Sequence, residues 1–300
     1  MQKQLLSVIV TDSLILPFRC RRQQKLNCNY YMILTRDIRT ISILGCGWYG
    51  FPLAQAFLSE GYKVNGSTTS EQKFPVLEEA GIKPFLVRFE ADAAKFATEF
   101  FECDLLIISI PPKRAAGETE SFPKKIEAIK TAATTAGVKH IIFISSTGGY
   151  GGPNMEVDEG TPPQPDSDSG KVLLQAENRL KDSSAFKVTV LRFGGLIGPG
   201  RNPARFFAGK KTISNGRAPV NLIHLDDCIS VTRAVIAKQA LGLTINACSP
   251  EHPSRMEFYT RAAINSGLEP PEFVDELKSW KVVNSKVLPR LNCTFSGLNS

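Results

Sequence analysis

Short continuous apolar runs alternate with amphipathic stretches between residues 40 and 248. The run at residues 105–110 is too short for a helix and lacks the polar alternation of a half-exposed strand, so it is typical of a strand buried on both faces. Because helical patterns separate the runs, the chain predicts an α/β fold with a doubly wound parallel sheet. The predicted strands are residues 41–44, 63–66, 83–89, 105–110, 140–144, 187–193 and 243–248.

The helices are predicted from apolar spacing and from the residue types at their ends. Ser121 is expected to cap one helix, and Asp226 or Asp227 to cap another. Beyond the helix that follows the first strand, helices are predicted at residues 71–80, 93–101, 121–137, 171–181, 254–266 and 281–289.

The turn after the first strand has glycines in the spacing G-x-G-x-x-G. The first glycine permits a tight turn, the second lets a pyrophosphate approach the backbone, and the third lets the helix pack closely. The N–H groups at the helix start would then face the phosphates. A plain tight turn is the alternative. The pattern predicts a Rossmann-type dinucleotide site at Gly45, Cys46, Gly47, Trp48, Tyr49 and Gly50.

The end of the second strand bears on the choice of cofactor. The acidic residue that would hold a ribose 2′-hydroxyl, about 20 positions after Gly45, is missing. Ser67, Thr68 and Thr69 stand there instead, with Lys73 nearby. Hydroxyls and a cation accept a 2′-phosphate better than a carboxylate would, so NADP is favoured over NAD. Lys73 could equally be a solvated surface residue.

Ligands of a doubly wound sheet bind at the carboxyl ends of its strands. Ser109, Ile110 and Pro111 lie at the carboxyl end of the fourth strand and are therefore predicted to complete the cofactor site. We expect a dinucleotide-binding core at residues 37–200. Residues 201–300 are expected to complete the sheet and to form a small C-terminal substrate lobe.

The net charge of +7 is concentrated near the amino terminus. Residues 1–39 hold seven basic and two acidic residues, so the rest of the chain carries only +2. A nearly balanced body argues against a nucleic-acid surface on the folded part. Residues 1–36 are expected to be a disordered leader or an upstream extension; a transit peptide is the alternative, because acidic residues are few there.

Seven cysteines and three histidines are scattered along the chain without a C-x-x-C pair or a ligand cluster. This spacing predicts reduced cysteines, no metal site and a cytoplasmic protein. No stretch reaches the ~20 apolar residues that a membrane span needs, so no membrane association is expected.

Several segments together resemble the extended short-chain dehydrogenase/reductase family, in the NAD-dependent epimerase/dehydratase group. The resemblance covers residues 40–298. It implies an NAD(P) cofactor with its nicotinamide against Ser146, a small polar or nucleotide-sugar substrate, and a possible homodimer through helices that include residues 171–181. The segments that carry it are residues 45–50, 143–151, 157–162, 176–177, 191–200 and 221–227.

The family's catalytic tyrosine and lysine are missing from this chain. Counted back from Ala176 and Glu177, their positions hold Ser169 and Leu173. In the family the tyrosine passes a proton to or from the substrate, and the lysine holds the nicotinamide ribose. Serine is too short and too basic for the first role, and leucine has no donor for the second. The chain therefore resembles the atypical branch of the family.

Ser146, Tyr150 and Lys171 are the candidate catalytic residues. Ser146 keeps its family position. Tyr150 could reach the crevice as an acid or base or could simply pack, and Lys171 could reach the ribose or remain solvated. His224 is expected to be a buried structural histidine.

The predicted function is NAD(P) binding with oxidoreductase, epimerase or dehydratase-like activity on a small molecule. The retained Ser146 and the crevice favour an enzyme. The alternative is a non-catalytic NAD(P)-binding sensor or regulatory protein, which the missing tyrosine and lysine favour. A further alternative, nucleic-acid binding, would depend on the basic leader.

Overall fold

The computed structural model describes residues 37–89, 94–112 and 118–298. The leader predicted at residues 1–36 lies outside this range. The described residues from Asp37 onward form one compact unit, and the domain boundary expected at residue 200 stays a prediction. Within these ranges no helix is long and apolar enough to cross a membrane.

A seven-stranded parallel sheet forms the centre of the fold. The strands in the described ranges are β1 Thr40–Leu44, β2 Lys63–Thr68, β3 Lys83–Leu86, β4 Arg88–Phe89, β5 Ala94–Lys95, β6 Leu105–Ile108, β7 His140–Ser146, β8 Met155–Val157, β9 Lys187–Phe193, β10 Gly195–Ile197, β11 Leu222–His224, β12 Thr244–Ala247 and β13 Lys281–Val283. The order of the sheet is β12-β9-β7-β6-β1-β2-β3. This confirms the predicted doubly wound α/β architecture.

Helices cover both faces of the sheet. They are α1 Gly50–Ser59, α2 Phe74–Glu79, α3 Glu118–Thr135, α4 Asp168–Lys181, α5 Leu225–Ala237, α6 Arg255–Asn265 and α7 Leu288–Leu291. Helices α1 and α5 contribute to the hydrophobic core on one face, and α3 and α4 to the core on the other. Every residue of β6 is fully buried, with alternate side chains in the two cores, which explains why its sequence is continuously apolar.

The strand order of the sheet reverses at β1, because β1 pairs with β2 on one side and with β6 on the other. Connections from these two neighbours leave a crevice at the carboxyl ends of the strands. Residues 45–50 and 109–111 follow strands at this edge, and residues 67–69 span the end of β2. The topology therefore gathers the predicted cofactor residues into one region.

The helix predicted at residues 93–101 is wrong. Strand β5 pairs antiparallel with β4 there, and a 3₁₀ turn follows at Thr98–Phe101. Phe100 and Phe101 are buried against each other and against neighbouring aromatic rings. Their apolar spacing therefore reflects tertiary packing of a short irregular segment and not one face of a helix.

The helix predicted at residues 281–289 is also wrong in its first half. Strand β13 occupies that part, and α7 begins at Leu288. The side chain of Asn221 holds β13 extended, because its Nδ2 donates to the Lys281 carbonyl at 2.9 Å and its Oδ1 accepts from the Val283 N–H at 2.8 Å. These contacts join residues about sixty positions apart, beyond what local patterning detects.

Two predicted helix caps differ from the structure. Ser121 lies inside α3, which begins at Glu118. The cap of α5 is His224, whose Nδ1 accepts from the Asp226 N–H at 3.3 Å, while Asp226 and Asp227 lie in the first turn. Carboxylates in the first turn still interact favourably with the helix dipole.

A buried ion pair ties α4 to β9 beneath the carboxyl edge of the sheet. The guanidinium of Arg192 donates to both carboxylate oxygens of Glu177, at 3.0 and 2.6 Å, and the two side chains are 4% and 2% exposed. Ser145 donates to the same carboxylate at 2.6 Å. Bidentate geometry and the added hydroxyl satisfy a charge that would otherwise be costly to bury.

We predict that Glu177→Gln lowers the free energy of unfolding by about 3–5 kcal/mol, because it leaves the buried Arg192 guanidinium without its counter-charge. Urea denaturation followed by circular dichroism measures this change. Arg217→Gln removes an exposed pair with Asp275 and is the control, with no measurable effect expected. Equal midpoints for Glu177→Gln and the unsubstituted protein would contradict the role of the pair.

Candidate functional site

The glycine turn between β1 and α1 is fixed from both neighbouring strands. The Gly45 N–H donates to Ser67 Oγ at 2.8 Å, and the Cys46 N–H donates to the Ser67 carbonyl at 3.0 Å. From the other side, Ser109 Oγ donates to the Gly45 carbonyl at 2.8 Å. Gly45 has a φ of +106°, which side chains disfavour. The ends of β2 and β6 thus hold the turn in one conformation.

The second and third glycines of the turn meet different surroundings. A Cβ at Gly50 would lie 2.2 Å from the Gly45 carbonyl oxygen, so only glycine fits where α1 starts. A Cβ at Gly47 would have no protein atom within 4 Å. The Gly47 backbone is therefore accessible to a ligand, as the sequence pattern predicts.

The N–H groups of Trp48 and Tyr49 are available at the start of α1. Neither donates a hydrogen bond within the described ranges, and α1 has no side-chain cap. Unpaired N–H groups at a helix start carry the positive end of the helix dipole. They form a ready binding position for an anion such as a pyrophosphate.

A cleft of about 260 Å³ opens beside this turn. It lies between the carboxyl ends of β1, β2 and β6 and is bounded by α3. Eight of the predicted cofactor residues line it: Gly45, Cys46, Gly47, Ser67, Thr68, Thr69, Ile110 and Pro111.

The polar end of the cleft follows β2. Thr68 Oγ1 accepts from the Ser70 N–H at 3.1 Å, so its hydroxyl shapes the turn. Thr69 is exposed on the cleft wall, and the exposed Lys73 also lines it. Ser67 is buried, and Thr68 Oγ1 also donates to the Ser70 carbonyl at 3.2 Å. Thr69 and Lys73 are therefore the exposed side chains that could bind a ligand at this end.

An apolar wall lies at the other side of the cleft, and sequence reasoning missed it. Val87, Phe89 and Phe122 form this wall together with Ile110. Phe89 belongs to the short hairpin β4–β5, and Phe122 projects from α3. Phe122 lies on a helix, and Phe89 ends a hairpin strand outside the seven-stranded sheet, although the sequence predicts a sheet strand at residues 83–89. The rule on the strand ends of that sheet therefore does not apply to either residue. Such a wall suits the flat face of a base.

Four predicted cofactor residues support the cleft without lining it. Ser109 and Gly50 hold the turn as described above. The Tyr49 ring is buried, and its hydroxyl is 2.6 Å from Thr232 Oγ1 on α5. Trp48 Nε1 donates to the Pro199 carbonyl at 2.5 Å. The side chains of residues 48 and 49 therefore anchor the turn, while their backbone N–H groups make no hydrogen bond within the described ranges.

Cys46 lines the cleft as an unreactive thiol. Burial raises the pKa of this thiol to about 12. Since the thiolate is the nucleophilic form, Cys46 is protonated and inert at neutral pH. Cys46 therefore contributes volume to the cleft wall and no reactive group.

Ser146 lies at the end of β7, where its position in the family's motif predicts the nicotinamide. Its Oγ accepts from the Gly148 N–H at 3.1 Å and caps the 3₁₀ turn Thr147–Tyr150. Because the oxygen accepts this bond, the hydroxyl proton is left to donate to a ligand. The residue is partly buried, as a ligand-contacting hydroxyl should be.

Tyr150 is directed into the protein interior. It is 2% exposed, and its hydroxyl accepts from Arg192 at 2.8 Å and donates to Asn246 Oδ1 at 3.0 Å. Burial raises the pKa of Tyr150, although the guanidinium beside it acts in the opposite direction. A protonated hydroxyl with two internal partners does not support the acid/base role considered from the sequence, and packing explains it better.

Lys171 is on the outer surface of α4. Its ammonium group is 3.5 Å from Asp168, and its side chain is 55% exposed. It lines a surface depression between α3 and α4 and not the cofactor cleft. The geometry therefore favours the solvated alternative. Leu173, at the position of the family's lysine, packs against the core under α4.

No group of three or more histidine, cysteine, aspartate or glutamate side chains in the described ranges could hold a metal ion. The cleft's polar groups include backbone N–H groups, hydroxyls and two lysines, Lys73 and Lys125, all of which can donate hydrogen bonds. These groups suit an anionic organic ligand.

Residues 45–223 match a protein family described as NAD(P)H-binding. The chain belongs to this NAD(P)H-binding family. It is also 36% identical over 247 residues to protein YeeZ of Escherichia coli K12, covering 81% of this chain and 90% of that protein. These matches confirm the predicted family and its NAD(P) cofactor.

Solved structures of nucleotide-sugar epimerases share the fold of this NAD(P)H-binding protein. A UDP-Glc/GlcNAc 4-epimerase from Campylobacter jejuni has a TM-score of 0.71 at 16% identity, covering 87% of this chain and 95% of that one. A UDP-glucuronic acid 4-epimerase from Bacillus cereus, solved with NAD, has a TM-score of 0.68 at 18% identity, covering 86% and 94%. These likenesses confirm the predicted fold.

We predict that Gly47→Ala lowers only the affinity for the cofactor, whereas Gly50→Ala lowers the stability of the protein as well. Gly47→Ala leaves thermal stability unchanged, because its methyl group meets no protein atom, but lowers nicotinamide dinucleotide affinity about tenfold or more by blocking the backbone. Gly50→Ala lowers the melting temperature as well, because its methyl group meets the Gly45 carbonyl. Calorimetry and thermal unfolding measure both effects. Unchanged dinucleotide binding in Gly47→Ala would contradict the placement of the pyrophosphate.

Proposed function

We propose that the protein binds NADP(H) in the cleft beside the glycine turn and uses it in an oxidoreductase, epimerase or dehydratase-like reaction on a small polar or nucleotide-sugar substrate. The observation that carries this proposal is the pair of unbonded N–H groups, Trp48 and Tyr49, at the start of α1. They stand at the point where a pyrophosphate must cross the sheet.

The shape of the cleft supports placing the adenosine half of the cofactor there. The wall formed by Phe89, Phe122 and Ile110 offers apolar contact to the adenine. At the other end, Thr69 and Lys73 offer a hydroxyl and a positive charge to the ribose. A 2′-phosphate at this position gains a charge-assisted contact from Lys73 and meets no carboxylate on the cleft wall.

This arrangement predicts NADP(H) binding in the micromolar range with weaker NAD(H) binding. Lys73→Gln is expected to lower NADP(H) affinity about tenfold and to leave NAD(H) affinity unchanged, because only NADP(H) carries the phosphate that Lys73 contacts. Calorimetric titration of the full chain with all four nucleotides measures both constants.

Lys63→Gln is the matched control for this titration. Lys63 is exposed at the opposite end of β2, so its removal changes the net charge equally without touching the cleft. A fall in NADP(H) affinity of the same size in both variants would show a general charge effect and contradict the specific contact. Failure of all four nucleotides to bind would remove the proposed function altogether.

The cofactor supplies hydride transfer when it is bound, and Ser146 is the protein group proposed to act on the substrate. Its oxygen is held by the Gly148 N–H, so its proton can be donated to a carbonyl or hydroxyl oxygen of the substrate. The hydrogen bond would orient that oxygen and stabilise negative charge as it develops. The substrate class follows from the epimerases that share the fold, whose substrates are nucleotide sugars.

A non-catalytic NAD(P)-binding sensor is the second candidate function, and one observation favours it. Ser169 and Leu173 replace the family's tyrosine and lysine, and the structure brings no equivalent pair to Ser146 from Tyr150 or Lys171. A protein that binds the cofactor without turning it over needs neither residue.

A measurement of whether the nicotinamide is oxidised or reduced distinguishes the enzyme from the non-catalytic sensor. We predict that NADPH or NADP is consumed with at least one member of a panel of carbonyl compounds and UDP-sugars, and that Ser146→Ala lowers kcat about 10²-fold while cofactor affinity is retained. Absorbance at the nicotinamide band follows the reaction. Tight cofactor binding with no turnover on the whole panel, or full activity in Ser146→Ala, would decide against the catalytic role.

A further inference from the structure

A second and larger cavity, of about 500 Å³, lies between the turn after β10 and helix α6. Among the described residues, no residue lines both this cavity and the cofactor cleft. Its volume falls within the usual range of small-molecule sites. We call it the α6 cavity.

His224 presents a buried donor to the α6 cavity. The residue is 8% exposed, and its Nδ1 accepts from the Asp226 N–H at 3.3 Å. The same Nδ1 is 3.4 Å from Asp226 Oδ2. While Nδ1 accepts from the N–H, the proton of the neutral ring is on Nε2. Nε2 lies 3.1 Å from the position a Cβ would take on Gly198, which lines the same cavity. Within the described ranges this nitrogen makes no hydrogen bond, so it is available to an acceptor atom of a ligand.

Arg261 adds a positive charge from a different element. It stands on α6, and its contact with Glu257 is an exposed ion pair at 3.6 Å, which is weak. In the described part of the chain no acidic side chain lines the cavity. The carbonyl groups at the end of α6 are already bonded to the N–H groups of residues 266–268 and do not compete for these donors. The cavity is thus suited to an anion.

The remaining wall of the α6 cavity is apolar. Ile197, Phe258 and Leu298 line it and are 2%, 2% and 5% exposed. They form one small core cluster, which fixes the shape of the wall. A ligand that fills this space therefore combines an apolar body with an anionic end.

We propose that the α6 cavity binds a small organic oxyanion, a carboxylate or a phosphate monoester, separately from the nicotinamide cofactor. The His224 Nε2–H and the Arg261 guanidinium hold the oxyanion, and the apolar wall contacts the body of the ligand. The site needs neither Ser146 nor the glycine turn, so it stands independently of the function proposed above.

Phenyl phosphate and benzoate are suitable probes, and benzyl alcohol is the neutral comparison. Calorimetric titrations are run on the full chain alone and again with saturating NADPH, because a phosphate could also bind at the glycine turn. At least one anionic probe is expected to bind in both conditions, and more tightly than benzyl alcohol. Preference for phenyl phosphate or for benzoate identifies the kind of oxyanion.

Three variants locate the bound probe. Arg261→Gln is expected to weaken binding about tenfold, because it removes a charge-assisted contact. Ala262→Leu fills the cavity from a half-buried position on α6 and should abolish binding while the helix stays folded. Arg290→Gln is the control: it removes an equal charge from an exposed position outside the cavity and should leave binding unchanged.

Several outcomes would overturn the proposal. They are no binding of either anionic probe, equal binding of benzyl alcohol, complete displacement by NADPH, and binding that Ala262→Leu leaves intact. Thermal unfolding of each variant confirms that lost binding is not lost folding. If the protein bound no NADPH at all, the titrations of Ala262→Leu and Arg261→Gln without cofactor would still decide the question.

Discussion

The close contact between Gly50 and the Gly45 carbonyl sets the position of everything around the cofactor cleft. No side chain fits between them, so α1 begins directly against the end of β1. Hydroxyls from Ser67 and Ser109 then hold the turn from the two flanking strands. The side chains of the turn and several of its carbonyls are bonded to the protein, whereas the N–H groups of Trp48 and Tyr49 make no hydrogen bond in the described ranges. These N–H groups make the turn an anion site.

Buried polar side chains hold the strands together on the other half of the sheet's carboxyl edge, where no tight turn does so. Arg192 joins Glu177 to Tyr150, and the hydroxyl of Tyr150 continues to Asn246 on β12. Glu159 extends the chain of contacts, since it accepts from the Asn246 N–H and from the backbone near the carboxyl terminus. The network fixes the strands beside Ser146 rigidly but supplies no replacement for the missing tyrosine. Cofactor binding and proton transfer are therefore separable properties in this chain.

Local patterns in the sequence were sufficient for the sheet, the glycine turn and the polar end of the cleft. Strands buried on both faces and a glycine spacing are local signals, and the rule on strand ends then places Thr69 and Pro111 correctly. The apolar wall could not be predicted, because Phe89 comes from an irregular hairpin and Phe122 from a helix face. Tyr150 follows Ser146 by four residues, yet the intervening 3₁₀ turn directs it inward, which depends on its distant partners Arg192 and Asn246.

A crystal structure of the full chain grown with NADPH tests the placement of the cofactor most directly. We expect a pyrophosphate bonded to the N–H groups of Trp48 and Tyr49, adenine against Phe89 and Phe122, and the 2′-phosphate beside Lys73. A cofactor bound elsewhere on the chain, or one in this cleft with its phosphates turned away from α1, would contradict it.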